Sequence, residues 1–221
     1  MKTERYDLYG PIHKGLRLAH AEMMTRLARA DYAAAGSLLG DLSRHLDLCR
    51  RHLTDEDRHV HPALEARRPG ATAELERQHD EHRDDFERLT RTIAAVERAA
   101  PAERAEAGRQ LFLTFTTFVA ADLAHMHEEE TQVFATLCEL FSDEELQALE
   151  MAIIADLAPA ENIAFMRLII PAVSAAERAA LLGGVKASAP PEAFLAIVEH
   201  AVRPTLAPED FAVLERLGLA A

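Results

Sequence analysis

Two short segments of the sequence each pair a histidine with a glutamate four residues later: His52 with Glu56, and His125 with Glu129. Residues four apart in an α-helix lie about 40° apart around its axis and one turn along it, so the side chains of each pair point the same way. Imidazole nitrogen and carboxylate oxygen together suit iron, manganese or zinc. These pairs predict a metal site inside a helical bundle, and carboxylates from two helices favour a dinuclear centre.

Histidine is unevenly distributed along the chain. Of the eleven histidines, ten lie before residue 128, and only His200 lies beyond it. This asymmetry divides the sequence into a histidine-rich part and a part rich in Ala, Leu and Pro. We expect a metal-binding domain over residues 1–140 and a helical extension over residues 141–221.

Four stretches of the first part repeat apolar residues at steps of three and four, which is the period of an amphipathic α-helix. The break at Arg67-Arg-Pro-Gly70 separates the second stretch from the third. The short connections predict an all-α fold, an antiparallel up-down four-helix bundle. The four helices are expected over about residues 11–30, 33–64, 75–96 and 101–140.

The part beyond residue 140 is predicted to add several short helices. Ser142-Asp-Glu-Glu145 and Ser174-Ala-Ala-Glu177 have the pattern of capping boxes. Pro191 and Pro208 are each followed by acids, as at the start of a helix. This part holds no candidate ligand, so its expected role is packing, self-association or binding of a protein partner.

Polar residues interrupt the apolar stripes of all four long helices. Burying so many imidazoles and carboxylates without partners would cost several kcal/mol each, and a bound cation would offset that cost. The alternative is a metal-free helical interaction protein with titratable histidines in its core. The candidate metal ligands on these stripes are His13, His52, Glu56, His79, His82, His125 and Glu129.

Other polar residues fall near this predicted site. His20 and His45 face inward one to two turns away, where a supporting or packing role is expected, and Asp122 is a candidate acceptor for the second nitrogen of a coordinating histidine. A shift of one residue in the helical register would bring Asp57 or Glu128 from the exposed flank into the site. Predicted to be solvated are His59, His61, His127, Asp57, Glu128 and Glu130.

Over roughly residues 8–140 these motifs resemble the hemerythrin-like (HHE cation-binding) family, bacterial type with a C-terminal helical extension. The resemblance implies a four-helix bundle around a non-haem diiron centre, usually with an oxygen bridge, whose ligands come from all four helices. Manganese and zinc are alternatives to iron. In chain order, the family's motif residues match His13, His52 with Glu56, His79, and His125 with Glu129.

Two departures distinguish the sequence from the oxygen carriers of this family. Carriers have a His-x3-His pair on the third helix, whereas His82 follows His79 by three residues. Carriers end the fourth-helix motif in His-x4-Asp, but the residue at that spacing here is Glu130. Helical geometry favours Glu129, because a step of five turns the side chain by about 140°. The pattern resembles the members associated with sensing, stress response or redox chemistry.

Two functions follow from the resemblance. As a sensing or binding module, the protein would take dioxygen, nitric oxide or peroxide at the diiron centre. As an enzyme, it would turn over peroxide or nitric oxide there. The first is preferred because the sequence shows no Ser-His-Asp or Cys-His arrangement, no Gly-rich phosphate loop and no obvious Tyr on the ligand stripes.

Composition excludes several other classes of protein. A formal charge of −13, with no block of Lys or Arg, disfavours nucleic acid and anionic membrane surfaces as partners. The first residues lack the apolar core of a signal peptide, and no apolar run approaches the roughly 20 residues that span a bilayer. Cys49 and Cys138 have no paired spacing, which indicates reduced thiols. We therefore expect a cytoplasmic protein.

Overall fold

The computed structural model describes residues 5–220, and the described residues form helices and connecting turns with no strand. The all-α prediction is confirmed. None of the described helices is both long enough and apolar enough to cross a membrane. The four longest helices are α1 (Gly10–Ala28), α2 (Gly36–Asp55), α4 (Ala73–Arg98) and α5 (Arg104–Glu128).

Eight shorter helices are also described, and six of them lie beyond residue 140, as predicted for that part. Each capping box forms both of its hydrogen bonds: Glu145 N–H donates to Ser142 Oγ, Ser142 N–H donates to Glu145, and Ser174 and Glu177 repeat the pattern. These short helices are α3 (His61–Arg67), α6 (Phe134–Leu140), α7 (Asp143–Asp156), α8 (Pro159–Ala172), α9 (Ala175–Ser188), α10 (Pro191–Ile197), α11 (Arg203–Thr205) and α12 (Pro208–Arg216).

Three π-helical segments interrupt the α-helical pattern: π1 (Glu56–Val60), π2 (Glu129–Val133) and π3 (Val198–Val202). A turn closed by an i→i+5 hydrogen bond holds one more residue than an α-helical turn, so the register of everything after it changes. The predicted continuous helices over 33–64 and 101–140 are therefore wrong at these points. In both of these helices, the π-helical segment begins at the glutamate of a His-x3-Glu pair.

Proline explains the position of two of these segments. π1 ends two residues before Pro62, and π3 ends two residues before Pro204. In a regular α-helix a proline ring clashes with the carbonyl of residue i−4 and leaves it without its N–H donor. Widening the preceding turn relieves the clash. At π3, Arg167 donates to the carbonyl of His200, four residues before Pro204.

The described chain folds into two compact units. The first comprises Ala19–Ile153 with the described residues before Asp7, and the second comprises Asp7–Leu18 with the residues from Ile154 onward. The domain boundary at residue 140, and the antiparallel order of the four helices, stay predictions.

Each unit has its own apolar core. In the first, α4 packs along α5 and α2 packs against α4, around fully buried residues such as Leu42, Leu89 and Phe115. In the second, α8 packs against π3 around a core that includes Ile170 and Leu182.

In the second unit α1 approaches the backbone of α8 closely at Gly15. A Cβ added to Gly15 would lie 2.9 Å from the carbonyl carbon of Leu168. Because backbone atoms of a packed helix cannot move aside cheaply, we expect Gly15→Ala to lower the free energy of unfolding by about 1–3 kcal/mol. Gly184 in α9 has open space around the same position, so Gly184→Ala should be neutral or stabilising by up to about 1 kcal/mol. Thermal unfolding measures both, and equal shifts would contradict the close approach.

Candidate metal centre

Two carboxylates form the middle of the candidate site, and both begin π-helical segments. Glu56 is 2% exposed and Glu129 is 0% exposed, and the two interact directly. Burial raises the pKa of each carboxyl well above its ordinary value, and the charge of Glu129 raises that of Glu56 further. Two acids buried side by side can both be ionised only beside a positive charge, and a divalent cation between them would supply it.

Two histidines complete a first set of donors with these carboxylates. Glu56, His79, His125 and Glu129 each offer one ligand atom, and all four atoms lie within 4.8 Å of one another. The Nε2 atoms of His79 and His125 are 3.2 Å apart, and Nε2 of His125 is 3.4 Å from Glu129 Oε2. Ligands bound at about 2.0–2.2 Å to one cation are separated by roughly 3–3.5 Å. The two distances from His125 lie in this range, and His79 Nε2 to Glu56 Oε2, at 3.8 Å, is slightly longer.

A second set shares both carboxylates. His52 Nε2 lies 3.3 Å from Glu56 Oε1, and the ligand atoms of His52, Glu56 and Glu129 all lie within 4.8 Å of one another. Glu56 and Glu129 therefore belong to both sets. Each carboxylate has two oxygens, so a carboxylate shared in this way can bridge two cations.

Neighbouring side chains hold the imidazoles of the first set in one orientation. His79 Nδ1 donates to Asp57 Oδ1 at 2.8 Å, and His125 Nδ1 donates to Gln78 Oε1 at 2.6 Å. The Gln78 amide nitrogen in turn donates to Glu128 at 2.8 Å, which fixes the orientation of the amide. With Nδ1 as the donor in each ring, the two Nε2 atoms, 3.2 Å apart, are the nitrogens left to bind a cation. A cation is the group that two such lone pairs attract.

Asp57 is itself held in its ionised form. Burial opposes its ionisation, but the hydrogen bond and charge of His79, together with the Arg83 guanidinium, outweigh burial and lower the pKa of Asp57. Arg83 donates to the second oxygen of this carboxylate. The anion behind His79 increases the basicity of the ring and favours coordination through Nε2.

The structure brings five of the seven predicted ligands together: His52, Glu56, His79, His125 and Glu129. His82 is placed elsewhere, with Nδ1 donating to the Gln78 carbonyl at 2.7 Å and Nε2 at 3.1 Å from Asp122 Oδ1. Burial disfavours its charged form, but the contacts with Asp122 and the Gln78 carbonyl outweigh burial and raise the pKa of His82.

His13 lies in the second unit, on the first turns of α1. It is fully buried, and its ring stacks on that of Tyr9 with centroids 5.2 Å apart. Tyr9 was not predicted near the site, because it precedes the apolar stripe of α1. The role of His13 as a ligand stays a prediction.

His61 corrects the sequence analysis. It was predicted to be solvated, but it is 4% exposed and stacks on His79 with ring centroids 4.7 Å apart. In a continuous α-helix His61 would point about 140° away from Glu56, whereas the wider π1 turn brings it round to the same face. Burial, and then the charge of His79, lower the pKa of His61 to about 4.

Two supporting residues also lie nearer the centre than the sequence analysis predicted. Asp57 was expected on the exposed flank but contacts His79, and Glu128 reaches the centre through Gln78. Gln78 was missed because a lone amide beside a histidine has no motif. Pro62 is the signal that could have revealed π1, since it removes a helical hydrogen bond within the stripe.

The fold and the clustered donors define a helical protein with metal-ligand side chains in its core. The chain matches the model of the hemerythrin HHE cation binding domain over residues 12–137, which is more than half of its length. It therefore belongs to the hemerythrin HHE cation-binding family, which confirms the resemblance, and membership together with the donor clusters supports metal binding. No curated protein and no solved structure matches the chain.

The hydrogen bond from His79 to Asp57 can be tested by substitution. We expect Asp57→Asn to weaken metal binding about 10–100-fold, because it removes the anion that orients and polarises His79. Asp80→Asn is the matched control, since Asp80 pairs with the same Arg83 but is exposed. Competition with a chelator of known affinity measures both variants. Equal affinities for Asp57→Asn and the wild type would show that this contact does not support a ligand.

Proposed function

We propose that the protein binds two iron ions and uses them to bind or sense dioxygen, nitric oxide or peroxide in a redox or stress response. The observation that carries the proposal is that Glu56 and Glu129 belong to two donor sets, one with His79 and His125 and one with His52. We further propose that α1, α2, α4 and α5 form an antiparallel four-helix bundle around this centre.

In the proposed ligand set, two histidines bind each ion. His79 and His125 would serve one ion, and His52 with His13 the other. His82 would join the set only by leaving Asp122. Zinc is satisfied by four donors, whereas imidazole and carboxylate donors with positions left open are typical of non-haem iron, so iron is favoured over zinc and manganese.

The chain's own residues would control access and orientation at this centre. Bound iron would supply reversible ligand binding and one-electron redox chemistry. Asp57 and Gln78 keep the Nε2 atoms of His79 and His125 directed at the centre. His61 stacks on His79 and covers one side of that ring. Burial of both glutamates keeps bulk water from competing with a small ligand.

A diiron enzyme that acts on peroxide or nitric oxide is the second candidate function. The contact between Tyr9 and His13 favours it, because a buried tyrosine beside a proposed ligand is a group that redox chemistry can oxidise. The sensing function is preferred because the groups described around Glu56 and Glu129 are imidazoles, carboxylates and an amide, which are suited to holding metals. A metal-free interaction protein is the remaining alternative.

The extension over residues 141–221 is proposed to act in self-association or in binding a protein partner. Several large apolar side chains in this part are exposed, including Met151, Leu195 and Leu217. A cytoplasmic location remains part of the proposal.

Metal analysis of glutamate variants tests the proposal. Protein purified without chelator should contain about two irons per chain and show near-ultraviolet absorption bands that change with azide. Glu129→Gln should lose both ions, because Glu129 belongs to both donor sets. Glu130→Gln is the matched control, one residue further on and less buried. Folded wild-type protein without metal, or equal loss in both variants, would overturn the proposal.

Steady-state kinetics separates the two candidate functions. A sensor should show a spectral change that saturates at one equivalent of nitric oxide or peroxide, without further consumption. Continued consumption that disappears in Glu129→Gln would establish the enzyme instead. Tyr9→Phe then tests the tyrosine, since a redox role predicts slower turnover with unchanged iron content.

A further inference from the structure

A second group of metal-ligand side chains lies in the first unit, and it shares no residue with the carboxylate centre. His20 comes from α1, while His45 and Cys49 come from one face of α2, four residues apart. All three are buried, with exposures of 0%, 5% and 4%. Their ligand atoms lie within 4.8 Å of one another.

The distances within this group suit a single ion. His45 Nε2 is 2.9 Å from His20 Nδ1 and 3.8 Å from Cys49 Sγ. A cation with nitrogen ligands at about 2.0–2.1 Å and sulfur at about 2.3 Å would separate them by roughly 3.3 Å and 3.6 Å, so small side-chain movements suffice. Burial, and then the charge of His20, lower the pKa of His45 to about 3, which keeps that ring neutral as a ligand must be.

Asp122 accepts a hydrogen bond from the second ring nitrogen of His20, as a carboxylate commonly does from a coordinating histidine. His20 Nε2 donates to Asp122 Oδ2 at 2.7 Å, and this bond leaves the lone pair of Nδ1 directed at His45 and Cys49. Phe115 and Phe118 contact His20 edge-on and line the surroundings with apolar surface. Such a shell keeps bulk water away from the three donor atoms.

We propose that His20, His45 and Cys49 form a second, mononuclear metal site for a cation that accepts thiolate, of the zinc or copper(I) class. A donor set of two imidazoles and one thiolate selects softer ions than the two-glutamate centre does. Binding breaks the S–H bond of Cys49, forms a sulfur–metal bond and releases one proton. The hydrogen on His45 Nε2 moves to Nδ1 of the same ring. The bound ion would join α1 to α2 within the first unit.

Cobalt(II) is the probe, because cobalt bound to a thiolate gives an intense sulfur-to-metal charge-transfer band in the near ultraviolet. The two-glutamate centre contains no sulfur and cannot produce that band. We expect full-length, chelator-treated protein to develop it on titration with Co²⁺, to saturation at one equivalent of thiolate-bound cobalt. Zinc should abolish the band by displacement.

Variants assign the band to this site. Cys49→Ser should abolish it, whereas Cys138→Ser, the matched control at the other cysteine, should retain it. His45→Gln should weaken cobalt binding at least about 10-fold while the thiol remains. Glu129→Gln should leave the band unchanged, which separates this proposal from the diiron proposal. Circular dichroism of each metal-free variant checks that it is folded.

Two outcomes would overturn the proposal. Wild-type protein without the charge-transfer band would show that Asp122, His20, His45 and Cys49 form only a hydrogen-bonded chain in the core. Loss of the band in Cys138→Ser but not in Cys49→Ser would place thiolate binding elsewhere in the chain.

Discussion

The repulsion between two buried carboxylates, Glu56 and Glu129, is the constraint on which the rest of the first unit depends. Their burial raises the pKa of both groups, so both can be ionised together only if a compensating positive charge lies beside them. Imidazoles from α2, α4 and α5 surround the pair with nitrogen donors, and α4 packs along α5 to hold two of them together. A cation bound by both carboxylates would offset the repulsion between them.

Three of these histidines, His20, His79 and His125, share one arrangement. One ring nitrogen is bonded to a carboxylate or amide, and the other faces a cluster of donor atoms. Helix α2 and the first residue of π1 carry donors for the carboxylate centre and for the proposed second site on one stripe. His45, Cys49, His52 and Glu56 follow one another at steps of four, three and four residues. This helical face thus presents the thiol of Cys49 on one turn and the harder carboxylate donor Glu56 about two turns further on, each with a histidine beside it.

Local rules made much of this structure predictable. Apolar periodicity located the long helices, capping boxes and prolines located several of the short ones, and polar residues on apolar stripes identified the buried glutamates. These signals act within a few residues of chain. The π-helical segments were not predictable in the same way, since a proline closely follows π1 and π3 but none closely follows π2, so packing against other parts of the chain must also contribute. The extra residue in π1 moved His61 to the centre, and the partner of Asp122 depends on contacts between distant parts of the chain.

Anomalous X-ray scattering from crystals of the iron-loaded protein at the iron absorption edge is the most direct test of the shared carboxylates. The account predicts two iron peaks, each within coordination distance of both Glu56 and Glu129, with His79 and His125 beside one peak and His52 beside the other. A single peak, or two peaks of which only one contacts these glutamates, would contradict it.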